Sequence, residues 1–425
     1  MTARGVTVRT FQALSNRNYR YFFGGQLVST TGSWLQTTAQ SWLILELTHS
    51  AFALGLLLMV QYLPSLLLQP FGGLVADRFP KRTLLMCTQG SFAVVSGILG
   101  LSVAFGFVRV WEVFLLVLIT GLVNVVDGPS RQSFVPEMVG WEQLPNAVAL
   151  NSSVFNAARI VGPAVAGILI ATVGTAVCFE LDAVSYLAVI LALYQMHPAE
   201  LHIVKRTGEQ LAGTFVQIRE GLSHARRTPE LMLVMVVMLV VGTFSYNLSV
   251  MIPALARDGL HSGAATFGLL SASLGVGALA GALGVAYVGR AAVPALLGGC
   301  AVFGTFLAIA GQAQSLPLLM VLLAMTGAGM IVHSSMSNSL IQMHTPARLR
   351  GRVMGLYLWV FLGTTPIGSP ICGLIEQNWG SRAAMSIAGL AALSIAVGGS
   401  FWWGRHRRAG GYVALSGPLA EAPTA

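Results

Sequence analysis

Long apolar segments, separated by short polar intervals, run through most of this 425-residue chain. A helix needs about 20 apolar residues to cross the hydrocarbon core of a bilayer. Backbone polar groups in lipid are satisfied only in helices or closed barrels, and these segments lack the alternating pattern of barrel strands. The sequence therefore predicts an all-α polytopic membrane protein. The twelve predicted transmembrane helices lie at 20–45, 51–75, 83–107, 111–131, 148–173, 177–197, 230–255, 264–288, 292–312, 316–340, 353–377 and 382–404.

Composition argues against a water-soluble globular protein of this length. Hydrophobic residues make up 55% of the chain, charged residues only 9%, and the mean hydropathy is +0.73. A lipid bilayer is therefore the expected surrounding. The four cysteines lie on four separate apolar segments without any CxxC spacing, which indicates packing residues rather than a metal or redox centre.

The net charge of +9 is placed as in a membrane protein and not as in a nucleic-acid-binding protein. If the N-terminus is cytoplasmic, the outer loops contain Arg109, Arg257 and Arg382, and Arg159 lies inside a span. The other 20 of the 24 Lys and Arg residues are then on the inner side. This positive-inside bias predicts that both termini are cytoplasmic. No cleaved signal peptide is expected, because residues 1–20 contain no apolar region of that type.

A polar interval at 198–229 divides the chain into two halves of six predicted helices. Within it, Leu211, Phe215, Ile218 and Leu222 recur at helical spacing, which predicts an amphipathic helix on the inner membrane face. The Gly-, Ala- and Pro-rich C-terminal tail is expected to be disordered. The predicted parts are a cytoplasmic N-terminal segment (1–19), a first bundle (20–197), a cytoplasmic linker (198–229), a second bundle (230–404) and a cytoplasmic tail (405–425).

The two halves share a weak internal repeat. The segment Gly-Leu-Leu at 55–57 recurs at 268–270, an offset of 213 residues. Gly162 and Gly167 likewise correspond to Gly368 and Gly373 at an offset of 206 residues. Repeats of this kind are typical of transporters built from related halves. The repeat predicts two pseudo-symmetric bundles around a central cavity.

One charged turn, GLVADRFPKR at 73–82, lies between the second and third predicted helices. It resembles the loop signature of the major facilitator superfamily, Gly-x-x-x-Asp-Arg-x-Gly-Arg-Arg/Lys, and departs from it at Pro80 and Lys81. Further segments, RQSFVPE at 131–137, NAARIVGP at 156–163 and RGRVMGLY at 350–357, resemble the bacterial exporter branch that includes enterobactin-exporter-like and Tap-like multidrug efflux proteins. The resemblance covers about residues 15–404 and implies the major facilitator fold.

The resemblance also implies a conformational gate on the inner side. Asp77 is expected near the N-terminal end of the eleventh helix, where the helix dipole is positive. Asp127 is expected to pair with Lys81, or with Arg131 one turn further along its own helix. A static salt-bridge cluster that only sets topology is the alternative. The predicted gate residues are Gly73, Asp77, Arg78, Lys81, Arg82, Asp127, Arg131, Gly351 and Arg352.

Polar residues form stripes along several otherwise apolar helices, which predicts a water-accessible path through the protein. Single Ser and Thr residues can instead serve as hydrogen bonds between helices. The expected cavity residues are Gln26, Thr30, Ser33, Thr37, Gln40, Asn124, Asn156, Arg159 and His333.

Individual ionisable residues suggest further roles. A cation inside the membrane is costly, so Arg159 should have a partner, either Asp127 or an anionic or catecholic group of the substrate. Glu46, Asp127 and His333 are candidates for proton coupling, although a single His on an apolar helix is more often a packing residue. Gly162 and Pro163 resemble a helix-bending motif of exporters, with simple kinked packing as the alternative.

These features together predict a secondary active transporter in a bacterial cell membrane. The expected activity is proton-coupled export of amphiphilic small molecules, such as drugs, by alternating access. A dedicated exporter of one metabolite such as a siderophore, and a transporter-like ligand sensor or accessory subunit without turnover, are the alternatives. No motif for a metal, a cofactor or an enzymatic reaction is present, and a monomer is expected from the resemblance.

Overall fold

The computed structural model describes residues 11–202, 214–288 and 291–408. The residue Leu211 of the predicted linker helix, and most of the predicted N-terminal segment and tail, lie outside these ranges. The α-helices are α1 (Arg17–Thr48), α2 (Ala51–Arg78), α3 (Lys81–Ala104), α4 (Val110–Val173), α5 (Thr175–Gln195), α6 (Thr214–Arg227), α7 (Pro229–Phe244), α8 (Leu248–Ala254), α9 (Ala264–Val288), α10 (Val293–Ala310), α11 (Leu316–His344) and α12 (Ala347–Arg408).

The described helices account for the twelve predicted crossings. Nine stretches of the described chain are long and apolar enough to cross a membrane, and two of them, α4 and α12, each contain two predicted spans. α1 is not among the nine, since Gln, Ser and Thr residues interrupt its apolar character. The predicted span 230–255 consists of α7, α8 and the start of a π-helical turn, Leu255–Gly259. The all-helical fold class is confirmed.

Two of the connections between spans are single glycines with left-handed backbone geometry. Gly140 (φ 71°) interrupts α4 and Gly380 (φ 83°) interrupts α12. A residue with a Cβ rarely adopts a positive φ, so glycine allows the chain to turn sharply here without a loop. The predicted polar gap at 132–147 is therefore helical on both sides of Gly140, which corrects the predicted ends of the fourth and fifth spans.

Each half packs as a bundle, and two helix pairs join the halves. In the first half, α1 packs along α4 and α5, and α3 packs along α5. In the second half, α9 and α10 pack along α11, and α7 packs along α12. The contacts between halves are made mainly by α2 with α12 and by α4 with α9.

The two junctions are related by the internal repeat. A Cβ at Gly167 of α4 would lie 2.8 Å from the carbonyl oxygen of Ala264 and 2.9 Å from the Cα of Gly268, both in α9. A Cβ at Gly373 of α12 would lie 2.6 Å from the carbonyl oxygen of Ala51 in α2. The offset of 206 residues relates Gly167 to Gly373, and the offset of 213 residues relates Ala51 to Ala264. Corresponding residues of the two halves therefore form the two junctions. The predicted pseudo-symmetry of the two bundles is therefore confirmed.

The junctions are supported by polar contacts near the end of the protein that contains Ser50. The Ser50 hydroxyl of the first half donates to Oε1 of Gln377 in the second at 3.1 Å. Arg257 of the second half donates from Nη1 to the carbonyl oxygen of Leu45, near the C-terminal end of α1. The two halves are thus held together at this end, which the sequence predicts to be the outer one.

Candidate functional site

A cavity of about 100 Å³ lies between the two bundles. Its walls come from α1 and α4 of the first half and from α8, α9, α11 and the α7–α8 connection of the second. The lining residues are Trp34, Thr37, Thr38, Ser41, Arg159, Pro163, Tyr246, Leu248, Ser249, Ile252, Phe267, Ser271, Leu274 and Met330. The site is thus apolar and aromatic with several hydroxyl groups, as small-molecule sites commonly are.

Arg159 lines this cavity and has no carboxylate partner among the described residues. Its Nη2 lies 3.7 Å from the sulfur of Met330, and its Cζ lies 5.9 Å from the centroid of the Trp34 ring. The predicted pairing of Arg159 with Asp127 is therefore wrong. The reason is geometric, since Asp127 faces α3 inside the first bundle, where other donors occupy its oxygens.

Of the predicted cavity residues, Thr37 and Arg159 line the central cavity. The others lie outside its lining, and several bond within their own helix or bundle. The Ser33 hydroxyl, for example, lies 3.2 Å from that of Tyr186, and the Asn124 and Asn156 amides each donate to the carbonyl oxygen of the residue four positions earlier. The predicted residues that the structure places outside this lining are Gln26, Thr30, Ser33, Gln40, Asn124, Asn156 and His333.

The proton-coupling candidates have three different environments. Glu46 is exposed and accepts a hydrogen bond from Nε1 of Trp42 at 2.6 Å. His333 is fully buried, neither of its ring nitrogens has a hydrogen-bond partner, and its ring packs edge-on against Tyr246 of the cavity at 6.0 Å. It therefore lies directly behind the cavity wall.

Asp127 is buried and holds two helices of the first bundle together. Its Oδ1 accepts from the Thr88 hydroxyl at 2.7 Å and from the Gln89 amide at 2.9 Å, both on α3. Its Oδ2 accepts from Nε and Nη2 of Arg131, at 3.1 and 2.8 Å. Of the two partners expected for Asp127, the structure selects Arg131. Both oxygens of the Asp127 carboxyl group thus have donors, and the residue links α4 to α3.

Lys81 and Arg82 of the charged turn contact residues of the first half. The Lys81 ammonium lies 2.8 Å from Oε1 of Glu137, so the expected pairing of Lys81 with Asp127 is wrong. Glu137 reaches Lys81 because α4 continues as a helix well beyond residue 131. Together with Gly73 and Asp77, this pair lines a cavity of about 360 Å³. Arg82 donates from Nε to the carbonyl oxygen of Leu193 at 2.7 Å, at the negative end of the α5 dipole.

Gly351 and Arg352 of the second half were predicted to meet the charged turn, and the contact described for Arg352 is with another helix. Arg352 forms an ion pair with Glu220 of α6, the helix within the linker interval. A Cβ at Gly351 or Gly73 would meet no atom within 4 Å, so neither glycine is at a close helix crossing. Arg78 is exposed. None of the contacts described for Lys81, Arg82, Asp127, Arg131 and Arg352 joins these residues across the two halves.

Exchanging the charges of Lys81 and Glu137 tests the corrected pairing. The two side chains are only 17% and 11% exposed, so a reversed single charge is left largely buried beside a like charge. We expect Lys81→Glu or Glu137→Lys to cost about 1–3 kcal/mol, and the double exchange to recover most of that loss. Thermal unfolding of the four purified proteins in detergent measures the effect. A double variant no more stable than the weaker single variant would contradict the pairing.

Two buried acids were not anticipated from the sequence. Asp182 of α5 is fully buried, and its Oδ2 accepts from the Ser96 hydroxyl at 2.8 Å. No basic side chain of the described chain lies within ion-pair distance of it. Glu376 of α12 is 5% exposed, and neither carboxylate oxygen has a hydrogen-bond partner. The available signal was an acid within an apolar span, Glu376 alone in its span and Asp182 together with Glu180.

Two repeat-related bundles with a polar and aromatic cavity at their interface define the class of secondary transporters with the major facilitator fold. Comparison with known proteins agrees with this class. The chain belongs to the family described as transmembrane secretion effectors, whose sequence profile matches residues 8–402. It is a multi-pass membrane protein and a transporter of the major facilitator superfamily.

Several curated relatives are similar over much or part of the chain. The multidrug efflux pump Tap of Mycolicibacterium fortuitum is 28% identical over 87% of this chain and 92% of that protein. The enterobactin exporter EntS of Shigella boydii is 26% identical over 89% of this chain and 90% of that protein. The staphyloferrin A transporter of Staphylococcus aureus is 28% identical over 42% of this chain, so that alignment spans only 45% of the relative's length.

Solved structures share the fold. A bacterial homologue of the human lysosomal transporter Spinster, in an inward-facing and unoccupied conformation, aligns with a TM-score of 0.73 at 14% identity. The alignment covers 91% of this chain and 97% of that one. At this identity the likeness supports the architecture alone.

Proposed function

We propose that the protein is a secondary active exporter that moves an amphiphilic small molecule out of a bacterial cell against proton entry. The observation that carries this proposal is the central cavity, whose walls come from both bundles and whose site would open to either side as the bundles rock. The named exporters among its relatives support outward transport. The proposed location is the bacterial cell membrane, with both termini cytoplasmic and the protein acting as a monomer.

The closure near Ser50 supports an inward-facing state. In alternating access, the charged turn would meet the start of α12 only when the inner side closes. In the proposed cycle, the gate with Asp77 at its centre acts when the inner side is closed. Lys81 and Arg82 position the turn by their contacts within the first bundle.

For proton coupling we add Asp182 to the three candidates from the sequence. Asp127 is already compensated by Arg131, and Glu46 is exposed at the end of α1. Asp182 has no compensating cation in the described chain, and its helix contacts the polar face of α1 through Tyr186 and Ser33. A buried group that changes charge by binding a proton is suited to coupling.

A dedicated exporter of one metabolite is the second candidate function. The unpaired guanidinium of Arg159 favours it, because an isolated cation in the cavity suits one chemical type of cargo better than a broad range of drugs. Two of the relatives are named for siderophores, enterobactin and staphyloferrin A. Which candidate holds depends on how many unrelated compounds the protein moves.

Efflux from cells tests the proposed function. In an efflux-deficient bacterium we expect the wild type to export at least one member of a panel of cationic, neutral and anionic lipophilic dyes. A protonophore should abolish this export, and Asp77→Asn should reduce it at least tenfold because the gate cannot close. Quantified membrane expression of both proteins is the control. Export that persists with the protonophore would contradict proton coupling, and loss of Asp77→Asn from the membrane would favour a structural role for the turn.

A further inference from the structure

We infer that the transported molecule carries an anionic group that pairs with Arg159, next to an aromatic or apolar body that packs against Trp34 and Phe267. The inference rests on the proposed function, since it names the class of substrate that the central cavity takes. It assigns a charge preference that the family relationship leaves open, because the relatives include both a multidrug pump and siderophore exporters.

The described lining of the cavity contains one positive charge, that of Arg159, and no charge that balances it. Arg159 is the one residue with a formal charge in the cavity lining that the structure describes. A guanidinium has five N–H donors, and the described contacts of Arg159 are a sulfur atom and the face of an indole ring. Neither contact neutralises the charge. A carboxylate, phosphate or catecholate would do so with two parallel hydrogen bonds.

Asp127, Asp182 and Glu46, three acids of the first half, have hydrogen-bond or ion-pair partners other than Arg159. Asp127 is paired with Arg131, Asp182 accepts from the Ser96 hydroxyl, and Glu46 accepts from Trp42. No acid of the described chain therefore lies within ion-pair distance of Arg159 in this state. A lipophilic cation entering the cavity would meet a like charge and no carboxylate.

The remaining lining fits the rest of such a molecule. Trp34, Phe267 and Tyr246 provide aromatic surface on both sides of the junction between bundles. The hydroxyl groups of Ser249 and Ser271 make no hydrogen bond within the described chain, so both are available as donors beside the guanidinium. A flat aromatic acid or catecholate uses all three types of group at once.

Binding to the purified full-length protein in nanodiscs tests the inference without requiring transport. The probes are two matched pairs, 2-naphthoate with 2-naphthylmethylammonium and 9-anthracenecarboxylate with 9-anthracenylmethylammonium. Each pair shares its ring system and differs in the sign of its charge. We expect the wild type to bind the carboxylates and to bind the ammonium compounds at least about tenfold more weakly.

Variants at Arg159 assign the preference to this residue. Arg159→Gln should weaken carboxylate binding at least about 30-fold and remove the difference between members of a pair, because the buried charge pair is lost. Arg159→Lys should retain part of the preference, since it keeps the charge without the planar fork. Arg109→Gln, an exposed cation before α4, is the matched control and should bind as the wild type does. Monodisperse elution of each variant confirms folding.

The possible outcomes separate this inference from the proposed function. Equal binding of both members of a pair, undiminished carboxylate binding by Arg159→Gln, or no carboxylate binding by the wild type would each overturn the inference. Carboxylate binding that depends on Arg159, in a protein that exports no compound, would uphold the anion site and reject the exporter. Export of dyes that does not depend on Arg159 would uphold the exporter and reject the anion site.

Discussion

Replacing Asp182 with Asn is expected to abolish proton-driven transport while leaving the protein folded. The carboxyl group is fully buried between α5 and α3, and its described hydrogen-bond donors are hydroxyl groups. A negative charge at this position has no compensating cation, so binding a proton removes a large energetic cost. An amide has the same shape and still accepts the hydrogen bond from Ser96, but it cannot exchange a proton.

Proteoliposomes with an imposed pH gradient provide the measurement. The wild type should drive a substrate uphill, and Asp182→Asn should show no more uphill transport than liposomes treated with a protonophore. Downhill exchange of the same substrate should persist in the variant, because exchange requires no net proton movement. Glu180→Gln, an acid two residues earlier on the same helix that is only partly buried, is the matched control. Uphill transport by Asp182→Asn would rule out Asp182 as the coupling group.

Replacing Gly277 with Leu is expected to prevent accumulation of folded protein. A Cβ at Gly277 of α9 would overlap the carbonyl oxygen of Ala324 in α11, and one at Gly281 would lie 2.6 Å from that of Ala328. This is the close helix approach that the GxxxG spacing indicates. Overpacking commonly costs about 1–3 kcal/mol, and here the clash involves backbone that cannot rotate away. We therefore expect the free energy of unfolding to fall by an amount at or above the top of that range.

Gly284 on the same helix provides the control. A Cβ at this position would meet no atom within 4 Å, so Gly284→Leu should leave the folded yield close to that of the wild type. Size-exclusion profiles of detergent extracts, together with thermal unfolding of any material recovered, measure both variants. Similar profiles for Gly277→Leu and Gly284→Leu would show that the α9–α11 crossing adapts to a side chain.

The architecture was accessible from the sequence because its determinants are local. Segment length and apolar composition define the spans, and the glycines of the repeat occupy corresponding junctions in the structure. The ends of the fourth and fifth spans could not be predicted from segment length and composition. Polar residues after Arg131 indicated a loop, but a single left-handed glycine, Gly140, replaces it.

Pairings between side chains were the least predictable part of the candidate site. They depend on helix rotation and on where a helix ends, which apolar periodicity does not define. Glu137 was placed in a loop, so it was not considered as the partner of Lys81. Asp182 was not among the predicted proton-coupling residues, although acids inside an apolar span, here Glu180 and Asp182, are themselves a signal.

The two repeat-related glycine junctions also offer a means of control over the proposed conformational cycle. At Gly167 and Gly373 the backbones of opposite halves touch, so any side chain added there is a wedge at the end that is closed in this structure. A side chain at either position penalises this state, because it would overlap the backbone of the opposite half. In the proposed alternating-access cycle, a single added methyl group at either glycine would favour the outward-open state, for imaging or for selecting binders specific to that state.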